Sequence, residues 1–180
     1  MNIKLTSLCA SLVLAATACL QAGEANPYGQ AKPGSAELER MKTLVGTWTG
    51  KVDMGQGPVE MNLEFRLVAG GTVLEERSAP GTPMEMVTMY YDKAGKLAAT
   101  HYCVLGNRPE MALKGADAKS ITLDFDSCCG IDTKKESHMH GMTLNFDDAN
   151  TISTSCKAVM NGQEMPNNLS TFKRVATAAK

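Results

Sequence analysis

Several things are scarce in this 180-residue sequence, and each shortage excludes a class of protein. Basic residues are not in excess: Lys and Arg number 18 against 19 Asp and Glu, and the formal net charge is -1. That balance does not suit a protein that binds the phosphates of nucleic acids. With 16 Gly and 7 Pro, the chain has too few of either for a fibrous or disordered protein. The Gly-x-Ser-x-Gly, His-Glu-x-x-His and P-loop motifs are all missing, so the sequence carries no common hydrolase or nucleotide-binding signature.

The N-terminus has the three parts of a secretory signal. Lys4 supplies a positive charge, residues 5–20 are apolar or small, and Ala22 is one of several small residues that provide cleavage points. We therefore expect residues 1–22 to be a signal peptide and residues 23–34 to be a flexible lead-in. The protein would then be exported to the periplasm or cell envelope of a bacterium.

A second reading of the same segment gives a lipid anchor. The run Ala16-Thr17-Ala18-Cys19 resembles a bacterial lipobox, which implies cleavage before Cys19 and acylation of that cysteine. In either reading the mature chain has no apolar run long enough to span a membrane as a helix.

Cysteine usage agrees with export, because an oxidising compartment permits disulfides. The mature region keeps four cysteines, which allow three complete pairings. Cys128 and Cys129 are adjacent and do not easily bridge each other. We expect one of these two cysteines to pair with Cys156 and assign the bridge to Cys128. Cys103 is then a core cysteine, a ligand or a disulfide partner.

The remaining chain has the rhythm of an all-β domain. Ser35 caps a predicted short helix over residues 35–43, and residues 59–67 then alternate apolar and polar side chains with the period of a strand. Asn161-Gly162 is a hairpin signal. Roughly ten short strands spaced 8–15 residues apart predict an antiparallel sandwich or barrel. We expect one β-barrel domain over residues 35–175 and a tail over residues 176–180.

A resemblance to a known superfamily refines this fold. The segment Leu44-Val45-Gly46-Thr47-Trp48-Thr49-Gly50, after a short helix, resembles the start of a calycin, the superfamily of lipocalins and fatty-acid-binding proteins. His101-Tyr102-Cys103 and His138-Met139-His140 resemble segments of a bacterial family of exported lipocalin-like domains of unknown function. The likeness spans about residues 37–174. It implies an antiparallel calycin-like barrel of about ten strands, with Trp48 buried at its closed end.

The same motif also resembles the start of nitrobindin, a haem-binding barrel. That family carries Tyr-Pro after the motif and a histidine haem ligand near the C-terminus. Here Val52-Asp53-Met54 follows the motif, and His140 is the last histidine. Both departures argue against haem, because axial ligation needs a correctly placed side chain.

Three histidines are the candidate functional residues. Strand alternation places His101 and Cys103 on one face with Leu97, and places His138 and His140 on one face with Met142. Both faces carry apolar residues, so both are assigned to the barrel interior. His101, Cys103, His138 and His140 together have the donor atoms for zinc or copper. The alternative is that the histidines hydrogen-bond the backbone or an organic ligand.

Methionines and carboxylates allow two readings each. Met61, Met86 and Met142 fill the core or line a cavity that adapts to an apolar ligand. Carboxylates such as Glu75 and Glu76 are mostly assigned to exposed faces.

We therefore predict a non-enzymatic protein that holds a small, partly apolar ligand inside a barrel. Binding of copper or zinc is one alternative; haem binding, or an enzyme using the same cluster, is another. The predicted ligand contacts are Trp48, Met86, His101, His138, His140 and Met142.

Overall fold

The computed structural model describes Gly29, residues 31–53, Gly55 and residues 57–176, except for the side chains of Cys128 and Asn168. The expected signal peptide, with its alternative cleavage before Cys19, lies outside the described residues. Within them, no helix has the length and apolar character needed to cross a membrane.

Helix α1 (Ala36–Lys42) begins where the sequence predicts it. The Ser35 hydroxyl accepts a hydrogen bond from the backbone N–H of Leu38 at 3.2 Å, which caps the helix. Leu38 and Met41 lie on one face of the helix and are buried. The helix is therefore amphipathic and packs its apolar face on the domain core.

The described residues form eleven strands after α1, and the bounds of these strands agree closely with the alternating segments of the sequence. They are β1 (Gly46–Asp53), β2 (Pro58–Val68), β3 (Val73–Ser78), β4 (Met86–Lys93), β5 (Lys96–Tyr102), β6 (Glu110–Ala116), β7 (Ser120–Phe125), β8 (His138–Asp148), β9 (Thr151–Met160), β10 (Gln163–Glu164) and β11 (Asn168–Arg174).

Ten of these strands close into one antiparallel barrel. From β1 to β8 each strand pairs with the next, β1 also pairs with β11, and β11 pairs with β9. The β8–β9 pairing then closes the ring. The two-residue β10 pairs only with β9, across a turn in which Asn161 and Gly162 both have positive φ, as a tight hairpin requires. The predicted antiparallel barrel of about ten strands is confirmed.

Helix α1 is tied to one end of this barrel by hydrogen bonds. The backbone N–H and the hydroxyl of Ser35 bond the two carboxylate oxygens of Asp92 at 2.6 and 2.7 Å. Arg40 donates to the carbonyl of Ser120 at 2.6 Å. These contacts fasten the helix to the β4–β5 and β6–β7 turns, so that end of the barrel is closed.

Trp48 lies in the core of the closed end and is 1% exposed. Its indole N–H donates to the carbonyl of Leu44 at 2.8 Å. The Arg174 guanidinium lies 4.2 Å from the indole ring centre and donates to the carbonyl of Val45 at 2.7 Å. A cation over the indole face and a satisfied N–H fix the ring in one orientation.

Candidate functional site

The register of the barrel shows which side chains point inward. In an antiparallel pair, residues directly opposite each other lie on the same face of the sheet. Phe65 is opposite Glu76, and Glu76 is opposite Thr88. Because Phe65 belongs to the buried core, the Glu76 carboxyl and the Thr88 hydroxyl are inward as well.

The assignment of Glu76 to an exposed face is therefore wrong. Glu75 and Glu76 are consecutive in β3, and consecutive residues of a strand point to opposite faces. Glu75 is on the outer face, where Arg66 pairs with its carboxylate at 2.7 and 3.1 Å. Glu76 consequently points into the barrel.

Tyr90 connects Glu76 to the far side of the barrel. Its hydroxyl donates to Glu76 Oε2 at 2.5 Å, and the Tyr90 hydroxyl oxygen lies 3.3 Å from Met142 Sδ. Tyr90 is on β4 and Met142 is on β8, and three strands separate them along the ring. The fully buried phenol thus crosses the interior from one wall to the other.

Burial governs the protonation of this pair. Burial raises the pKa of the Glu76 carboxyl, and the hydrogen bond from Tyr90 opposes that rise in part. The pKa of the Tyr90 hydroxyl is raised well above its usual range, first by burial and then by the nearby Glu76. The phenol therefore keeps its proton and acts as a donor.

His101 extends the same polar cluster along the inner wall. It is opposite Thr88 in the β4–β5 ladder, and its Nδ1 lies 2.9 Å from the Thr88 hydroxyl. The ring is 6% exposed, and burial lowers its pKa to about 4. His101 is therefore a neutral imidazole at physiological pH. We call Glu76, Thr88, Tyr90 and His101 the interior polar cluster.

Two further side chains show that solvent reaches the inner face at the open end. Cys156 is opposite Met142 and shares its inward face. Desolvation by the surrounding protein, and to a lesser extent the nearby Glu76, raises the pKa of the Cys156 thiol to about 12. The residue is nevertheless exposed to solvent. Both observations hold when the thiol lines a solvent-accessible space inside the barrel. Val59 is opposite Val52, which packs on the core, and is 47% exposed.

His138 and His140 form a separate pair. The Nδ1–H of His138 donates to the carbonyl of Glu136 at 2.7 Å, because a carbonyl can only accept. Its Nε2 forms a second hydrogen bond with Nδ1 of His140 at 3.0 Å. Both rings pack against Phe125, with centroids 5.0 and 5.1 Å away. The alternative reading, in which the histidines hydrogen-bond the backbone, describes His138.

The predicted four-ligand metal cluster of His101, Cys103, His138 and His140 is not assembled. No group of three or more His, Cys, Asp or Glu side chains in the described part of the chain could hold a metal ion. Cys103 lies just past the end of β5, in a turn where its carbonyl accepts from Gly106 N at 3.0 Å. Both nitrogens of His138 are already in hydrogen bonds within the protein.

A register shift explains why strand alternation failed at the histidine pair. The β8–β9 ladder is irregular between Met139 and Gly141, which is where His140 lies. The alternation of side chains with a period of two is interrupted there, so it does not place His138 and His140 on the same face as Met142. His140 instead lines a cleft of about 120 Å³ with Lys157 and Met165.

The remaining predicted residues are placed as follows. Met86 is half-buried and opposite the inward Ser78, so it shares the face of the interior polar cluster. Cys103, Cys129 and Cys156 are free thiols, and the side chain of Cys128 is not described. Because Cys156 is a free thiol in this structure, the expected bridge from Cys128 to Cys156 is not formed.

Comparison with known proteins supports the fold and nothing finer. The crystal structure of Rv2717c from M. tuberculosis matches with a TM-score of 0.54 and 13% sequence identity, covering 80% of this chain and 100% of that chain. No protein-family model and no curated protein matches the chain. The barrel fits the calycin-like resemblance, and at this identity the likeness shows the fold alone.

Proposed function

We propose that this protein is an exported, non-enzymatic binding protein that holds one small, partly apolar ligand in the open half of its barrel. The accessible inward thiol of Cys156 carries the proposal, because it indicates space inside the barrel above the buried core. Small-molecule sites are concave and mostly apolar, with a few placed polar groups. The open half combines Val59 and Met61 with the interior polar cluster.

Tyr90 supports the division of the barrel into two halves. It is fully buried and reaches from β4 to Met142 on β8, so it forms a floor across the interior. The core on the closed side includes Trp48, Leu38 and Phe172. Trp48 therefore supports the site from below, and the direct ligand contacts that we propose are Met86, His101, Met142, Glu76 and Cys156.

Filling the proposed space tests this function. Cys156→Phe places a large side chain in the open half, and Lys157→Phe places the same side chain on the outer face of the same strand. We would titrate each variant with octanol by calorimetry and detect the complex by native mass spectrometry. Octanol is expected to bind the wild type and Lys157→Phe at one site, with affinity lost in Cys156→Phe.

Cys156→Leu serves as a milder second variant if Cys156→Phe fails to fold, and it is expected to weaken octanol binding by an intermediate factor. Equal affinity in wild type, Cys156→Leu and a folded Cys156→Phe would place the site elsewhere. A titration without any heat or complex in the wild type would reject binding of an apolar ligand.

A further inference from the structure

Two consecutive glutamates of β3, Glu75 and Glu76, differ in whether they have a cationic partner. The outer Glu75 has a bidentate partner in Arg66. The inner Glu76 has a single hydrogen bond, from Tyr90 to Oε2. Among the ion pairs formed by the described residues, none includes Glu76. A carboxylate that points into a protein interior normally has a cationic partner, and among the described residues Glu76 has none.

The groups that face Glu76 cannot supply the missing charge. Tyr90 and Cys156 are acids that are neutral when protonated, and both have raised pKa values inside the barrel. His101 reaches the cluster through Thr88 and is neutral because burial lowers its pKa to about 4. Phe65, opposite Glu76 on β2, has no titratable group. The interior polar cluster therefore has an acceptor and no cation.

One oxygen of Glu76 is open to the space above the phenol. Glu76 is half-buried, whereas Tyr90 and Thr88 beside it are buried. No described residue donates a hydrogen bond to Oε1. Among the described residues, Asn107 Oδ1 is the one side-chain atom that is both fully buried and without a hydrogen-bond partner. Oε1 of Glu76 also lacks a partner, so it is not fully buried. A group entering from the open end can thus reach Oε1 without displacing Tyr90.

We propose that the ligand carries a cationic nitrogen, such as a protonated primary amine, that pairs with Oε1 of Glu76 while its apolar part lies in the open half of the barrel. This inference rests on the proposed function and adds the charge of the ligand to it. An ammonium group donates to carboxylates, and charge-assisted hydrogen bonds are about twice as strong as neutral ones. Tyr90 holds Oε2 and so fixes the orientation of the carboxyl.

Three probes of eight carbons each test the charge. Octylamine and octanol have the same octyl tail, octanoate has a heptyl tail on its carboxylate, and we would titrate each into wild type, Glu76→Gln and Glu60→Gln by calorimetry at pH 8. Glu60 is the matched control, because it is an exposed glutamate on the neighbouring strand β2. Wild type and Glu60→Gln are expected to bind octylamine at least about tenfold more tightly than octanol, and octanoate least.

Glu76→Gln is expected to bind octylamine and octanol equally within about twofold, because the isosteric amide keeps the shape and loses the charge. Equal binding of octanol and octylamine by wild type would overturn the cationic ligand and leave the proposed function standing. A preference for octylamine that survives in Glu76→Gln would also overturn it. Failure of all three probes to bind would instead count against the proposed function itself.

Discussion

The Tyr90 hydroxyl donates a 2.5 Å hydrogen bond to Glu76 Oε2, and the two side chains come from neighbouring strands β3 and β4. The same phenol reaches Met142 Sδ on the opposite wall. One side chain therefore orients the carboxyl and separates the packed closed half from the open half. Both features that define the candidate site depend on Tyr90.

Removal of the Tyr90 hydroxyl tests this role. Tyr90→Phe keeps the ring and takes away the donor to Glu76, which we expect to destabilise the protein by about 1 kcal/mol. The pKa of Glu76 should rise further, because the hydrogen bond from Tyr90 lowers it. Chemical denaturation and carbon-13 NMR titration of the Glu76 carboxyl measure the two effects. Tyr91→Phe is the control, since that phenol bonds Thr100 instead; an unchanged Glu76 titration in Tyr90→Phe would contradict the assigned hydrogen bond.

His101 predicts a loss of stability in mild acid. Burial lowers its pKa from 6.5 to about 4 in the folded protein, so between these values the unfolded chain binds a proton that the folded protein does not. Stability from this group is complete above pH 6.5 and is lost as the pH falls towards 4. Relative to His101→Gln, the wild type should lose about 3 kcal/mol over that interval. If the free energies of unfolding of wild type and His101→Gln change with pH in parallel, the imidazole of His101 is not buried.

Glu76 predicts a trend of opposite sign. Its pKa is raised in the folded protein by burial, so the folded state holds a proton after the unfolded chain has released it. Stability from this group is present below pH 4.5 and decreases as the pH rises through the folded-state pKa. Glu76→Gln should therefore gain stability relative to wild type from acid to neutral pH, measured by urea unfolding at each pH. The matched Glu60→Gln variant should follow the wild type, and a flat difference for Glu76→Gln would contradict an inward carboxyl.

The strands and the helix could be read from the sequence because their signals are local. Alternation over residues 59–67 marks β2, and Ser35 sits three residues before Leu38, whose N–H it caps. Repeated short strands with turn signals also predicted the number of strands in the barrel. The position of Trp48 at the closed end was implied by the calycin-like resemblance that its motif and the preceding helix carry.

The candidate site depended on contacts between distant parts of the chain. Tyr90 is 14 positions after Glu76 in the sequence, and Met142 is 52 positions after Tyr90. One signal was nevertheless available, because consecutive residues of a strand point to opposite faces, so in a closed barrel one of the two glutamates must point inward. The irregular register at His140 had no such signal in the sequence. Because of it, His140 does not lie on the face that strand alternation predicted, and the predicted metal cluster is not assembled among the described residues.

Cys156 predicts an accessible but unreactive thiol. Its pKa is raised from 9.0 to about 12, so its thiolate fraction near pH 8 is lower by about a thousandfold than that of an unperturbed thiol. In a variant with Cys103, Cys128 and Cys129 replaced by Ser, iodoacetamide should label the folded protein far more slowly than the same protein in denaturant. Mass spectrometry follows the reaction. Equal rates would mean that Cys156 lies outside the enclosed space.

Native mass spectrometry of the protein, purified from the organism that makes it, is the most direct test of ligand binding in the barrel. We expect one organic molecule per chain, with a basic nitrogen evident from its fragmentation, retained in Lys157→Phe and absent from Cys156→Phe. A protein that always carries its bare mass, or a mass excess equal to one copper or zinc ion with no organic adduct, would contradict the proposed site.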